Sequence, residues 1–114
     1  MIIDFNKIEN SVIPKFKDGT GEFSVHMYTD NLGKIMLGKL EPGSSIGMHT
    51  HEGNSEIIYV LKGCGKVLFD DAEEKVSEGL CHYCPKGHSH SLINDSDDTL
   101  LFFAVVPEHN LDLK

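Results

Sequence analysis

His49, His51 and Glu56 stand at a spacing that suits metal ligation. Side chains two apart on a strand share one face, so the two imidazoles can converge on one ion while Thr50 points away. After the loop Glu52-Gly53-Asn54-Ser55, Glu56 is expected to return on the neighbouring strand, about 4.8 Å away in the hydrogen-bonding direction, and to add a carboxylate oxygen. Downstream, Pro85-Lys86-Gly87 reads as a tight turn that delivers one more imidazole, His90, to the start of a strand. His88, two residues earlier, is positioned to reach the rim of such a site as a proton donor or as a hydrogen-bond partner for substrate.

The elements that must position these groups follow from the patterning. With 114 residues the chain is one domain, able to bury about 65% of its unfolded surface. Phe5, Ile8 and Val12 fall at helical spacing, but Pro14 and Asp18-Gly19-Thr20-Gly21 end that pattern, so residues 1–22 read as a short N-terminal helix or arm. Residues 23–114 form the main domain. In it, short apolar runs alternate with turn residues: 23–28, 34–40, 46–51, 56–61, 65–69, 74–76, 80–84, 90–94 and 100–106. Evenly spaced short strands of this kind are all-β and indicate a sandwich or barrel.

Strand parity adds a second expectation. With His49 and His51 inward, Ile46 and Met48 face outward; with Glu56, Ile58 and Val60 inward, Ile57, Tyr59 and Leu61 face outward. The run 100–106 is apolar on both faces, as in a strand covered on both sides. A chain this short has little spare material for a second covering layer. The outer face is therefore expected to pack on a second subunit, making a homodimer, with help from the N-terminal arm.

Around the candidate ligands stand Gly43, His49, His51, Glu56 and Gly63, and then Gly79, Pro85, Gly87, His90 and Asn94. These two sets resemble both motifs of the cupin family without a gap, with Leu80 at a place where many cupins carry an aspartate. The resemblance implies a double-stranded β-helix, or jelly-roll barrel, usually dimeric, with a metal held inside by His49, His51, Glu56 and His90. Three imidazoles and a carboxylate suit one divalent transition metal (Fe, Mn, Ni, Zn, Co or Cu) better than magnesium or calcium. Ile58, Val60 and Leu92 are expected to line the barrel around it. Cupins of this kind imply action on a small polar molecule, by dioxygenase, isomerase or epimerase, or decarboxylase chemistry. The alternative is a non-catalytic metal- or sugar-binding sensor.

Composition narrows the partners. Ten lysines, no arginine and eighteen acidic residues leave a net charge of −8, the wrong sign for nucleic acid or an anionic membrane. Without a guanidinium, an anionic ligand must rely on metal, lysine or backbone. The start lacks a secretory pattern, and three cysteines, Cys64, Cys81 and Cys84, cannot all pair within one chain, which together point to the cytoplasm. An odd spacing on a strand places Cys81 and Cys84 on opposite faces, as buried filler rather than a shared site. His26, His82 and His109 have no partner pattern and read as surface or hydrogen-bonded structural histidines.

Overall fold

The computed structural model describes residues 1–109, so the end of the expected 23–114 domain, residues 110–114, lies outside the described residues. Among the described residues ten strands form two antiparallel sheets. They are β1 (Ser11–Pro14), β2 (Glu22–Asp30), β3 (Gly33–Leu40), β4 (His49–Thr50), β5 (Glu56–Lys62), β6 (Cys64–Phe69), β7 (Ala72–Ser77), β8 (Cys81–Cys84), β9 (Ser89–Ile93) and β10 (Leu100–Pro107). One sheet runs β1-β2-β3-β10-β5-β8 and the other β4-β9-β6-β7. This is the two-sheet arrangement of a double-stranded β-helix. Among the described residues no helix is long and apolar enough to cross a membrane.

The core lies between the sheets because each strand alternates. Along β10 Leu100, Phe102, Ala104 and Val106 are buried, and along β5 Ile58 and Val60 are buried while Ile57, Tyr59 and Leu61 remain exposed. They join Val67 and Leu92 from the smaller sheet in one apolar cluster. Each fully buried aliphatic side chain contributes about 1.5–3 kcal/mol. The outer face expected from parity is therefore present. Part of it is covered by the N-terminal segment, where Phe5 meets Phe103 edge to face at 6.3 Å.

That segment differs from a simple helix. Asp4 caps a single 3-10 turn over Phe5–Lys7 by accepting from the Asn6 backbone N–H at 3.0 Å. Val12 then lies in β1, paired antiparallel with β2, because Pro14 at the end of an edge strand is compatible with a sheet but not with a helix interior. His26 ties the arm down, its Nδ1 lying 2.6 Å from the Ile8 carbonyl oxygen.

The strand expected over 46–51 is shorter and its parity is broken. Met48 faces out as expected, but Ile46, expected to face outward, is 6% exposed and packs in the core. The cause is Gly47. It lies so close to the loop before β2 that an added Cβ would fall within bonding range of the Lys17 carbonyl oxygen and 2.6 Å from that carbonyl carbon. The backbone N–H of Gly47 donates to Phe16 O at 3.0 Å and that of Ile46 to Leu92 O at 2.9 Å. One irregular residue thus lets Ile46 and His49, three apart, both point inward. Gly47→Ala should lower unfolding free energy by roughly 1–3 kcal/mol in urea titration.

Candidate metal centre

His49 is the cross-strand partner of His90 in the β4–β9 pair, so register alone sets two imidazoles side by side. His51 follows β4, and its position is fixed by two backbone hydrogen bonds with the Pro85-Lys86-Gly87 turn: His51 N–H donates to His88 O at 3.0 Å, and Gly87 N–H donates to His51 O at 2.6 Å. Gly87 adopts φ +91°, a conformation costly for any residue with a Cβ. The turn that delivers His90 thus also holds His51.

Glu56 does not arrive on the neighbouring strand. Its strand, β5, belongs to the opposite sheet, between β10 and β8. The loop after His51 crosses the gap instead of closing a hairpin, and it is pinned to the end of β10 by the Asn54–Glu108 bridge and by Ser55 N–H donating to Pro107 O at 3.3 Å. The carboxylate therefore meets the imidazoles across the interior. Their candidate donor atoms, one from each of His49, His51, Glu56 and His90, all lie within 4.8 Å of one another.

Glu56 Oε1 is 2.9 Å from His90 Nε2, 3.2 Å from His51 Nε2 and 3.8 Å from His49 Nε2. His90 Nε2 is 3.0 Å from His51 Nε2 and 3.1 Å from His49 Nε2. The three rings are inclined at 65°, 68° and 73°, like blades around an axis. With metal–ligand bonds of about 2.1 Å, adjacent donors stand about 3.0 Å apart in an octahedral shell and about 3.4 Å apart in a tetrahedral one. Most of the observed separations match the octahedral spacing, so the donor set fits a borderline divalent ion.

Burial pushes the Glu56 carboxyl toward its neutral form, but the three histidines beside it, His49 first, outweigh burial and hold its pKa well below the usual range. Burial also pulls the His51 and His90 imidazoles down. At His90 burial prevails over the nearby Glu56 and the pKa is lowered, favouring the neutral, ligating form; at His51 the contacts with Glu56 and Asn54 prevail and it is raised.

The outward nitrogens are also engaged. His49 Nδ1–H donates to Gly47 O at 2.7 Å, and His51 Nδ1–H to Asn54 Oδ1 at 2.5 Å, with Asn54 oriented by donating from Nδ2 to Glu108 Oε1 at 3.2 Å. His90 Nδ1 faces His82 Nε2 at 3.0 Å, and His82 Nδ1 faces Glu74 Oε1 at 2.8 Å. Neither Glu74 nor His82 stood out in the sequence. The available signal was that β8 pairs His82 with the inward-facing Ile58, a non-local register that no motif spells out.

Beside the four side chains opens a cavity of about 170 Å³. Its apolar wall is Phe16, Phe23, Met27, Met36, Ile46 and Val106, and Lys17, Lys34 and Glu52 bring charge to it. Ile58, Val60 and Leu92, expected to line the barrel, are packed inside it in the core at 1–2% exposure and take no part in this cavity's wall. Much of this lining comes from β2, β3 and the loop that carries Phe16 and Lys17. His88 is not among the lining residues. Its ring stacks on Phe69, and its Nδ1 lies 2.6 Å from Asp70 Oδ2. Cys84 is buried and its thiol pKa is pushed up to about 11 by burial and by Glu56, whereas Cys81 is exposed on the other face.

Comparison with known proteins agrees with this geometry. A model of the cupin domain matches residues 36–106. An oxalate-binding protein of Thermotoga maritima is 31% identical over 112 residues, covering 93% of each chain. A germin-like protein of Morus alba is 34% identical over 80 residues, 66% of this chain and 38% of its own. A crystal structure of a Thermotoga maritima protein, described as a predicted oxalate decarboxylase, superposes with a TM-score of 0.88 at 30% identity, covering 95% of this chain and 99% of the other. With both motifs, the two-sheet fold and a clustered His49-His51-Glu56-His90 set in place, the chain belongs to the cupin family.

Proposed function

We propose that this cupin binds one divalent transition metal through His49, His51 and His90 Nε2 and Glu56 Oε1, and uses it to capture a small dicarboxylate of the oxalate class. The convergence of three imidazole nitrogens on a buried carboxylate, with right-angled spacing, carries the reading: a shell of that kind leaves adjacent positions for a chelating ligand. The ion supplies Lewis acidity toward carboxylate oxygens. The chain supplies the rest. The cavity is small enough to favour a ligand of few atoms, its wall of Met27, Met36, Ile46 and Val106 excludes water, and Lys17 and Lys34 offer two cationic heads where no arginine exists. The names of the Thermotoga maritima relatives support the ligand class.

Turnover is the second reading, favoured by Glu52. It lines the cavity as a carboxylate outside the ligand set. In a redox-neutral decarboxylation of the oxalate dianion the carbon–carbon bond breaks, carbon dioxide leaves, and the remaining carbon takes one proton to give formate; Glu52 in its carboxylic acid form would deliver that proton and recover one from water. His88, bound to Asp70 outside the cavity, has no step in either reading. We further assign the exposed Ile57, Tyr59, Leu61 and Tyr83 to a homodimer interface, and the protein to the cytoplasm.

Co(II) or Mn(II) should bind at one ion per chain in calorimetry, and His51→Ala or Glu56→Ala should abolish it; unchanged metal content would remove the site. Affinity should rise with pH, by about tenfold per unit for each proton displaced, and level off only above the ordinary histidine range. The sign follows from His51: its raised pKa keeps a proton in competition with the ion, whereas the Glu56 carboxylate, with its lowered pKa, offers no such competition. Oxalate should bind the metal-loaded protein and not the metal-free one, and Lys17→Ala should weaken it about tenfold, or roughly 1.4 kcal/mol. Formate release that disappears in Glu52→Gln while oxalate binding persists would establish turnover; absence of formate with every metal leaves a binding protein. In light scattering the wild type should be a dimer and Tyr59→Glu a monomer.

A further inference from the structure

His82 is one of the most deeply placed polar side chains, 2% exposed, yet it has no place in the ligand set. It stands on β8 between two partners: Glu74 on β7, whose side chain is 45% exposed, and His90 on β9. The rings of His82 and His90 stack at 5.2 Å, inclined by 30°, and Phe69 closes on His82 edge-on at 5.4 Å. A surface carboxylate thus reaches inward to hold a buried imidazole, and that imidazole holds a candidate ligand.

With His82 neutral, the direction of both hydrogen bonds that it makes follows from the outer end. A carboxylate only accepts, so His82 Nδ1 must carry the hydrogen that meets Glu74 Oε1. A neutral imidazole then has a lone pair at Nε2, and the 3.0 Å contact requires His90 Nδ1–H to donate to it. His90 is left with its lone pair on Nε2, directed at the centre. The competing tautomer is within reach, because Glu56 Oε1 lies 2.9 Å from that same Nε2 and would accept a hydrogen from it. In that form His90 could not ligate. Two carboxylates therefore pull on the single hydrogen of His90 from opposite ends, one favouring ligation and the other opposing it.

We propose that Glu74 and His82 are positioning residues that hold His90 in its Nδ1–H tautomer, keeping Nε2 available to the ion. The proposal rests on the metal reading above. His49 and His51 are held in the same sense by uncharged acceptors, Gly47 O and Asn54 Oδ1, so the charged relay is peculiar to the histidine that Glu56 approaches most closely. Partners of this kind, lying behind a ligand, are worth about 10- to 100-fold in metal affinity.

The test uses Glu74→Ala and Glu74→Gln, changes at a half-exposed position that leave the buried rings in place. Co(II) affinity, measured by competition with a chromophoric chelator, should fall at least tenfold in Glu74→Ala, and by less in Glu74→Gln, which retains an acceptor oxygen but no charge. Thermal melting of both metal-free variants should match the wild type. Imidazole ¹⁵N spectra of metal-free protein should show His90 protonated on Nδ1 in the wild type and shifted toward Nε2 in Glu74→Ala. Wild-type affinity in both variants, or a wild-type His90 already protonated on Nε2, overturns the proposal. A wild type that binds no Co(II) but shows the tautomer change would sink the metal reading alone. Should Glu74→Ala fail to fold, the spectrum and affinity of Glu74→Gln decide.

Discussion

A carboxylate buried at 7% exposure, Glu56, sets the terms for this structure. Removing a charge from water without partners costs several kcal/mol, and a single hydrogen bond does not offset it. Glu56 opens β5 in the larger sheet, while the imidazoles that meet it come from β4, β9 and the residue after β4 on the other side. Its burial is tolerable only once both sheets have closed on each other. The same closure assembles the apolar core, so the site and the fold form together rather than one being set into the other. Among the described residues no buried side-chain polar atom lacks a partner, which is what a polar network inside an apolar core requires.

Closure on the open side depends on a short stretch of strained backbone. Lys15, Lys17 and Asp18 adopt φ of 49°, 57° and 62°, the left-handed region that side chains disfavour, at a cost of order 1–3 kcal/mol each. The stretch is held down where Gly19 and Gly47 allow backbone to touch backbone, and the hydrogen bonds from Gly47 to Phe16 and from Ser45 to Thr20 lock it. The conformation places Phe16 and Lys17 over the cavity beside the histidines. This strained stretch thus lies at the cavity mouth.

Much of this was legible in the residues. The alternation of β5 and β10, the turn glycines and the four candidate ligands follow from period, turn chemistry and motif, because each is a local property of the chain. What was not legible depends on pairing between distant segments. Ile46 turned inward because Gly47 meets Lys17, some thirty positions earlier in the chain. Glu56 was expected beside His51 in one sheet, yet a four-residue loop can cross between sheets as readily as it can close a hairpin. His82 read as an isolated histidine because its partners, Glu74 and His90, lie eight residues to either side and meet it only when β7, β8 and β9 are in register. The cavity wall was not legible for a related reason. Parity identifies which side chains face inward, but not which inward-facing side chains pack solidly and which leave space.

The charge distribution bears on what the proposed site can select. A chain with net charge −8 repels anions at long range, but at physiological salt that field decays within about 8 Å. Capture of a dicarboxylate must therefore come from groups at the cavity itself. Lys17 and Lys34 supply positive charge there, yet lysine heads are flexible point charges that do not impose the planar, two-pronged geometry of a guanidinium. Discrimination between a dicarboxylate and other small anions then falls to chelation, which rewards two oxygens held at a fixed separation, and to an apolar wall that leaves a longer chain no polar partner. The cavity brings Glu52 and Glu56 together with Lys17 and Lys34, so its charge is mixed, and an anion compact enough to reach the centre gains chiefly from coordination.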